Sequence, residues 1–249
     1  QLLPLVLRNG VSTLILGSDD PGELQRFAEE VIPQVRAAVA RERAAGGVVA
    51  HPAHRSAAAL AARRDDIDYD GLPASLVATA IEPGDFGYGR VRSTYMRGGS
   101  PGLVLQPRTP DEVADALAFA RDQDVPLAVR SGGHGISGRS TNDGGVVIDL
   151  GALKQIEILS PTDRLVRVEA GARWKEVAAA LQPHGWALSS GDYGGVGVGG
   201  LATAGGIGWL ARDRGLTIDH LRAASMVLAD GSQVRVSATE NPDLFWAVR

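Results

Sequence analysis

Half of the residues between Gly191 and Gly208 are glycine: GDYGGVGVGGLATAGGIG carries nine in 18 positions. An ordered glycine surrenders more conformational freedom than any other residue, so this is a costly way to build a turn. The field is not low-complexity filler, because valine, leucine, threonine and tyrosine are interleaved with it. The density predicts backbone brought close to something flat or anionic. A turn that merely lets elements pack closely is the competing reading. Across the chain, 32 of 249 residues are glycine, about twice the usual share.

A second cluster, RSGGHGISG (Arg130–Gly138), follows the apolar stretch Pro126–Val129 and surrounds a single histidine, His134. Open α/β layers bind ligands at the carboxyl ends of their strands. Successive exposed peptide N–H groups there hold phosphate oxygens without a lysine. For His134 taken alone, a ring bonded to a backbone carbonyl beside a tight bend stands level with a functional role. There is no Walker A motif, and neither GYGR (Gly87–Arg90) nor GVGVGG sits between a strand and a helix with an acid about 20 residues on, as the dinucleotide fingerprint requires.

Composition narrows the chemistry. The formal net charge is −4 with basic and acidic residues interspersed, which gives no footprint for a nucleic-acid backbone. With no cysteine, disulfides, thiolate nucleophiles and cysteine-ligated metals are excluded. His51 and His54 are two candidate ligands, too few for a metal site, and are read as a solvated pair. The apolar start, QLLPLVLRNGVSTLIL, lacks a basic n-region and is broken by Pro4, Arg8, Asn9 and Gly10. No apolar run reaches the length of a membrane span. A cytoplasmic location is therefore favoured, with secretion left open.

Three regions follow from the pattern. Residues 1–43 read as a strand (Val11–Leu16) and a long helix capped by Asp20 and Pro21, with Glu23 placed for a capping box. Its apolar stripe is Leu24, Phe27, Ala28, Val31, Val35 and Val39, and Pro33 predicts a kink. One strand and one helix cannot bury themselves, so this reads as the tail of a larger layered domain. Residues 44–99 lack sustained periodicity and read as a connector partly ordered against its neighbour. From residue 100 regular structure returns: a strand from Leu103, a helix capped by Thr109 and Pro110 with Glu112 completing the box, and a strand ending at Val129. Further strands cover Val146–Leu150, Gln155–Leu159 and Arg164–Glu169. A helix at Trp174–Gln182 precedes the glycine field, a hairpin turns at Asp230-Gly231, and a last helix starts at Asn241-Pro242.

The segments VRSGGHGISGRSTNDGGVVIDL and GDYGGVGVGGLATAGGIGWLARDRG, in order and correctly spaced, resemble the FAD-linked oxidases of the berberine-bridge-enzyme-like group, in the vanillyl-alcohol-oxidase/PCMH superfamily. The resemblance covers about Ser100–Arg249. It implies an α+β, PCMH-type FAD-binding fold of two α/β lobes, the second incomplete; a separate resemblance, of residues 1–43, adds a preceding strand-helix remnant of a TIM-barrel-like domain. It implies FAD attached through the 8α-methyl group to His134, with Ser131, Gly132, Gly133, Gly135 and Ser137 around the pyrophosphate and Arg130 among the cofactor-binding residues. Further cofactor contacts are implied at Gly199, Gly200, Thr203, Gly206 and Ile207. Many relatives carry a second attachment through the cysteine of G-x-C-P-T-V-G-V-G-G. Here that position is Tyr193, which leaves a single histidyl bond. Val196 matches the position that gates oxygen, and its small side chain implies an oxidase.

The implied activity is hydride transfer from an alcohol or sugar-like small molecule to flavin N5, with dioxygen reduced to hydrogen peroxide. No catalytic base is assigned. Residues 1–43 resemble the carboxyl-terminal end of luciferase-like flavin monooxygenases. The alternatives are a flavin dehydrogenase, a fusion dominated by such a monooxygenase, or a flavin- or carbohydrate-binding module without turnover.

Overall fold

The computed structural model describes Ser18, Arg55 and residues 20–44 and 57–249. The strand expected over Val11–Leu16, and His51 and His54, lie outside the described residues. Two compact units divide at residue 56.

In the first unit, α1 (Pro21–Arg26) runs through a π-helical turn (Phe27–Val31) into α2 (Ile32–Ala44). The Asp20 carboxylate accepts from Gly22 N–H at 2.8 Å, the expected cap. Glu23 instead accepts from the Ser18 hydroxyl at 2.7 Å. Proline has no N–H to give the preceding turn, and the wider π turn ends at Val31, two residues before Pro33.

The second unit contains, in order, α3 (Ala57–Ala61), β1 (Ala80–Ile81), α4 (Tyr88–Val91), β2 (Leu103–Leu105), α5 (Pro110–Arg121), β3 (Leu127–Arg130), β4 (Val146–Asp149), β5 (Ile156–Ser160), β6 (Leu165–Val168), α6 (Trp174–Leu181), α7 (Val198–Thr203), α8 (Ala211–Arg214), β7 (Ala223–Val227), β8 (Gln233–Ser237) and α9 (Pro242–Val248). The first sheet has the order β1-β2-β4-β3, parallel except for β1. Strands covered on both faces read as unbroken apolar runs, and LVL in β2 and VVI in β4 are fully buried. The crossover through α5 therefore skips a position, and β4 fills it. In α5, Thr109 Oγ1 accepts from Glu112 N–H at 3.1 Å, while the Glu112 carboxylate takes the N–H of Arg108 at 2.7 Å.

Much of the stretch read from the sequence as a connector partly ordered against its neighbour packs with the elements that follow it. Residues 57–99 belong to the second unit, and Ile67, Tyr69, Leu76 and Ala80 share a core with Leu103, Phe119, Val146 and Ile148. The Tyr69 hydroxyl donates to Gly102 O at 3.0 Å. Arg63 pairs with buried Glu82 at 2.8 Å. These contacts come from single large side chains on turns and very short elements, which carry no helical or strand period.

A second core gathers Ala172, Trp174, Val177, Leu181 and Val198, with Ile156, Ile158, Val166 and Val168 of the antiparallel β5-β6 pair against it. The β7-β8 hairpin is tied to α5 by Arg121 donating to Ala229 O at 3.1 Å and Gln233 Nε2 donating to Asp111 at 2.6 Å. No described helix is long and apolar enough to cross a membrane. Among the described residues no three His, Cys, Asp or Glu side chains cluster to hold a metal.

Candidate flavin site

The Arg130–Gly138 loop leaves the carboxyl end of β3. Three of its carbonyls are engaged: Gly132 O accepts from Arg173, Gly133 O from Tyr95 N–H at 2.9 Å, and Gly135 O from Gly138 N–H at 3.1 Å. Its donors are not. None of the peptide N–H groups from Gly132 to Ser137 gives a hydrogen bond to another described residue. Six consecutive donors therefore remain available to an anion, while three of the carbonyls in the same run are tied down. Gly133 stands at φ +70°, a conformation that side-chain-bearing residues rarely adopt.

The second glycine segment meets this loop. A Cβ on Gly132 would fall on the backbone of Gly197, and one on Gly197 would fall on Gly132. The Ser131 hydroxyl donates to Ala170 O at 2.5 Å, and Gly199 N–H donates to the same carbonyl at 3.0 Å. The Arg173 guanidinium then joins both segments through one nitrogen, Nη1, which donates to Gly132 O at 2.7 Å and Gly195 O at 2.5 Å.

His134 projects half-buried between two rings. Tyr95 stacks on it with centroids 5.1 Å apart and planes at 20°, and Tyr193 lies tilted at 5.7 Å. Partial burial, and then the nearby Arg173 charge, hold the imidazole below the ordinary histidine value. A neutral ring keeps a nitrogen lone pair free to act as nucleophile.

The other expected positions divide. The Arg130 guanidinium is buried against Asp149, with Nη2 at 2.8 Å and Nε at 3.2 Å from one carboxylate oxygen, so it braces the base of the loop from behind. Val196 is half-buried and packs on the Trp174 core. Gly206, at φ +75°, has no room for a Cβ beside Thr217. Packing thus accounts for Gly197 and Gly206. Gly200, by contrast, faces open space, and a Cβ on Gly135 would make only an ordinary contact with Ser140 Oγ at 3.9 Å. Thr203 Oγ1 returns to Gly199 O at 2.9 Å, and Ile207 is exposed.

Sequence reading missed Arg173 and Tyr95. Arg173 occupies the N-cap of α6, where Ser, Thr, Asp or Asn is usual, and its N–H donates to Glu176 at 2.7 Å. That unusual cap was a legible signal. Tyr95 lies in the segment read as a connector and carries no local signal.

The chain matches the family described as FAD binding domain over residues 101–237. It is 34% identical over 179 residues to (R)-6-hydroxynicotine oxidase of Paenarthrobacter nicotinovorans, covering 71% of this chain and 39% of that protein. It is 37% identical over 153 residues to xylooligosaccharide oxidase of Thermothelomyces thermophilus, covering 60% of this chain and 31% of that one. A solved glucooligosaccharide oxidase from Acremonium strictum, described as carrying 6-S-cysteinyl, 8α-N1-histidyl FAD, superposes with a TM-score of 0.64. It shares 32% identity over 68% of this chain and 36% of that one. The chain thus spans less than two-fifths of the length of these relatives. A loop of free peptide donors, a histidine between two rings and the family match agree: the chain belongs to the FAD binding domain family, with the PCMH-type fold of the berberine-bridge-enzyme-like FAD-linked oxidoreductases.

Proposed function

We propose that this chain is the FAD-binding portion of an oxidase that carries its cofactor on His134 through a single histidyl bond. The observation that carries the reading is the Gly132–Ser137 run of unpaired peptide donors with the His134 ring projecting from its middle. The free N–H groups suit the pyrophosphate, and the imidazole suits the edge of the isoalloxazine ring. Bound FAD supplies hydride acceptance from a substrate C–H bond and delivery of the electron pair to dioxygen. The protein's part is to hold the phosphates with backbone, to keep the imidazole neutral, and to fix its plane against Tyr95. Tyr193 stands beside His134 at the position where relatives with two attachments carry cysteine, and a phenol forms no thioether.

The relatives named as oxidases of hydroxynicotine and oligosaccharides support a small organic substrate with dioxygen as acceptor. The test is acid precipitation of flavin-loaded protein followed by mass spectrometry of its peptides. The expected result is yellow protein with the FAD mass on the peptide containing His134, lost in His134→Ala while reversibly bound flavin remains. Complete release of flavin from the wild type by acid would overturn the covalent reading.

A further inference from the structure

We propose that Arg173 is the positioning residue for cofactor attachment, joining the glycine loop that carries His134 to the glycine segment that carries Tyr193 and so setting the place of the imidazole. The inference rests on the reading that His134 carries FAD.

Three observations converge on this side chain. Nη1 of Arg173 is shared by Gly132 O and Gly195 O, two residues before His134 and two after Tyr193. The imidazole and one of the two rings beside it, Tyr193, therefore sit on segments that this guanidinium ties together, while Tyr95 is held to the first segment by its N–H to Gly133 O. The backbones of the same segments touch at Gly132 and Gly197, where no side chain intervenes to fix their spacing. Main-chain bonds from Trp174 N–H to Val196 O and from Val198 N–H to Ala172 O anchor Arg173 itself beside the second segment. The groups that face the imidazole are the phenols of Tyr95 and Tyr193 and the Arg173 cation. Among the described residues no carboxylate pairs with it. A cation on that side disfavours a second positive charge on the ring, so the same group that fixes the loop also keeps the nitrogen lone pair available. Attachment replaces one C–H bond of the 8α-methyl group and the imidazole N–H bond by an N–C bond. The two hydrogens and two electrons pass to dioxygen, which leaves as hydrogen peroxide.

The experiment compares wild type, Arg173→Met, Arg173→Lys and His134→Ala. Two quantities are read: the titration of the His134 ring protons by NMR in flavin-free chain, assigned by difference against H134A, and the rate of acid-stable flavin incorporation as a function of pH. In R173M the His134 midpoint should rise towards the ordinary histidine value, with the part due to burial remaining. Incorporation should slow by about 10- to 100-fold, the loss expected when a reacting group is displaced, and its pH profile should move to higher pH. R173K restores the cation and should return the midpoint and the pH profile towards wild type. Thermal melts establish that each variant is folded; if R173M is not, R173K against wild type carries the comparison through incorporation rate, since lysine cannot reproduce the guanidinium geometry. An unchanged His134 midpoint together with an unchanged incorporation profile in folded R173M overturns the role of Arg173 and leaves attachment at His134 standing. Wild type without acid-stable flavin overturns attachment at His134, and the proposed role of Arg173 falls with it.

Discussion

Gly132 and Gly197 stand backbone to backbone, so close that neither position has room for a Cβ. This contact brings the two glycine-rich segments into one site, although 65 positions separate them in the sequence. Replacing Gly197 with alanine forces a methyl group onto the Gly132 backbone. Overpacking of this kind costs about 1–3 kcal/mol, so the melting temperature should fall by about 3–10 °C. The control is Gly200→Ala, whose Cβ meets nothing within 4 Å. Helical alanine is favoured over glycine by about 0.5–1 kcal/mol, so G200A should melt at or above the wild-type temperature. Differential scanning calorimetry decides both, and a G197A melt equal to wild type would show that the segments separate freely.

The Arg130–Asp149 pair behind the loop is buried, with side-chain exposures of 6% and 11%. Removing one partner strands the other charge away from water. Asp149→Ala should therefore destabilise the fold by about 3–5 kcal/mol, read from urea unfolding midpoints. A loss below 1 kcal/mol, on the order of an exposed ion pair, would mean water reaches Arg130.

His134 makes stability depend on pH in one direction. Its folded-state value lies below that of the unfolded chain, because burial and Arg173 disfavour the imidazolium. Its contribution is present above the unfolded value of about 6.5 and is lost as pH falls through the folded value. Between pH 7 and pH 5 the wild type should lose more stability than His134→Gln, measured by urea midpoints at each pH. Equal losses would show that the ring titrates as it does in an unfolded chain.

Val196 offers a separate test of oxygen access. Its side chain packs on the Trp174 core, so Val196→Leu should cost about 1–3 kcal/mol by overpacking. If it also borders the oxygen path in the flavin-loaded enzyme, anaerobic reduction by substrate should be nearly unchanged. Reoxidation by air should slow by about tenfold or more, equivalent to ~1.4 kcal/mol on that barrier. Stopped-flow measurement of the two half-reactions separates these effects, and equal slowing of both would assign Val196 to general shaping of the pocket.

The sequence by itself determined the elements and the chemistry that depends on local pattern. Thr109 and Pro110 mark the start of α5 and Asp230-Gly231 marks the hairpin, because capping and turn formation act over a few residues, while RSGGH carries the family resemblance that singles out His134. Only the tertiary structure decided which distant groups share a site. The order β1-β2-β4-β3 depends on β4 entering between strands already joined by a crossover, and the core role of Ile67, Tyr69 and Leu76 depends on what they touch. Arg130 reads as a loop residue yet is turned inward by Asp149. Arg173 reads as a helix cap yet spans two segments. Long flexible cations take their partners from whatever the fold brings within hydrogen-bond reach, and their neighbours in sequence carry no record of that choice.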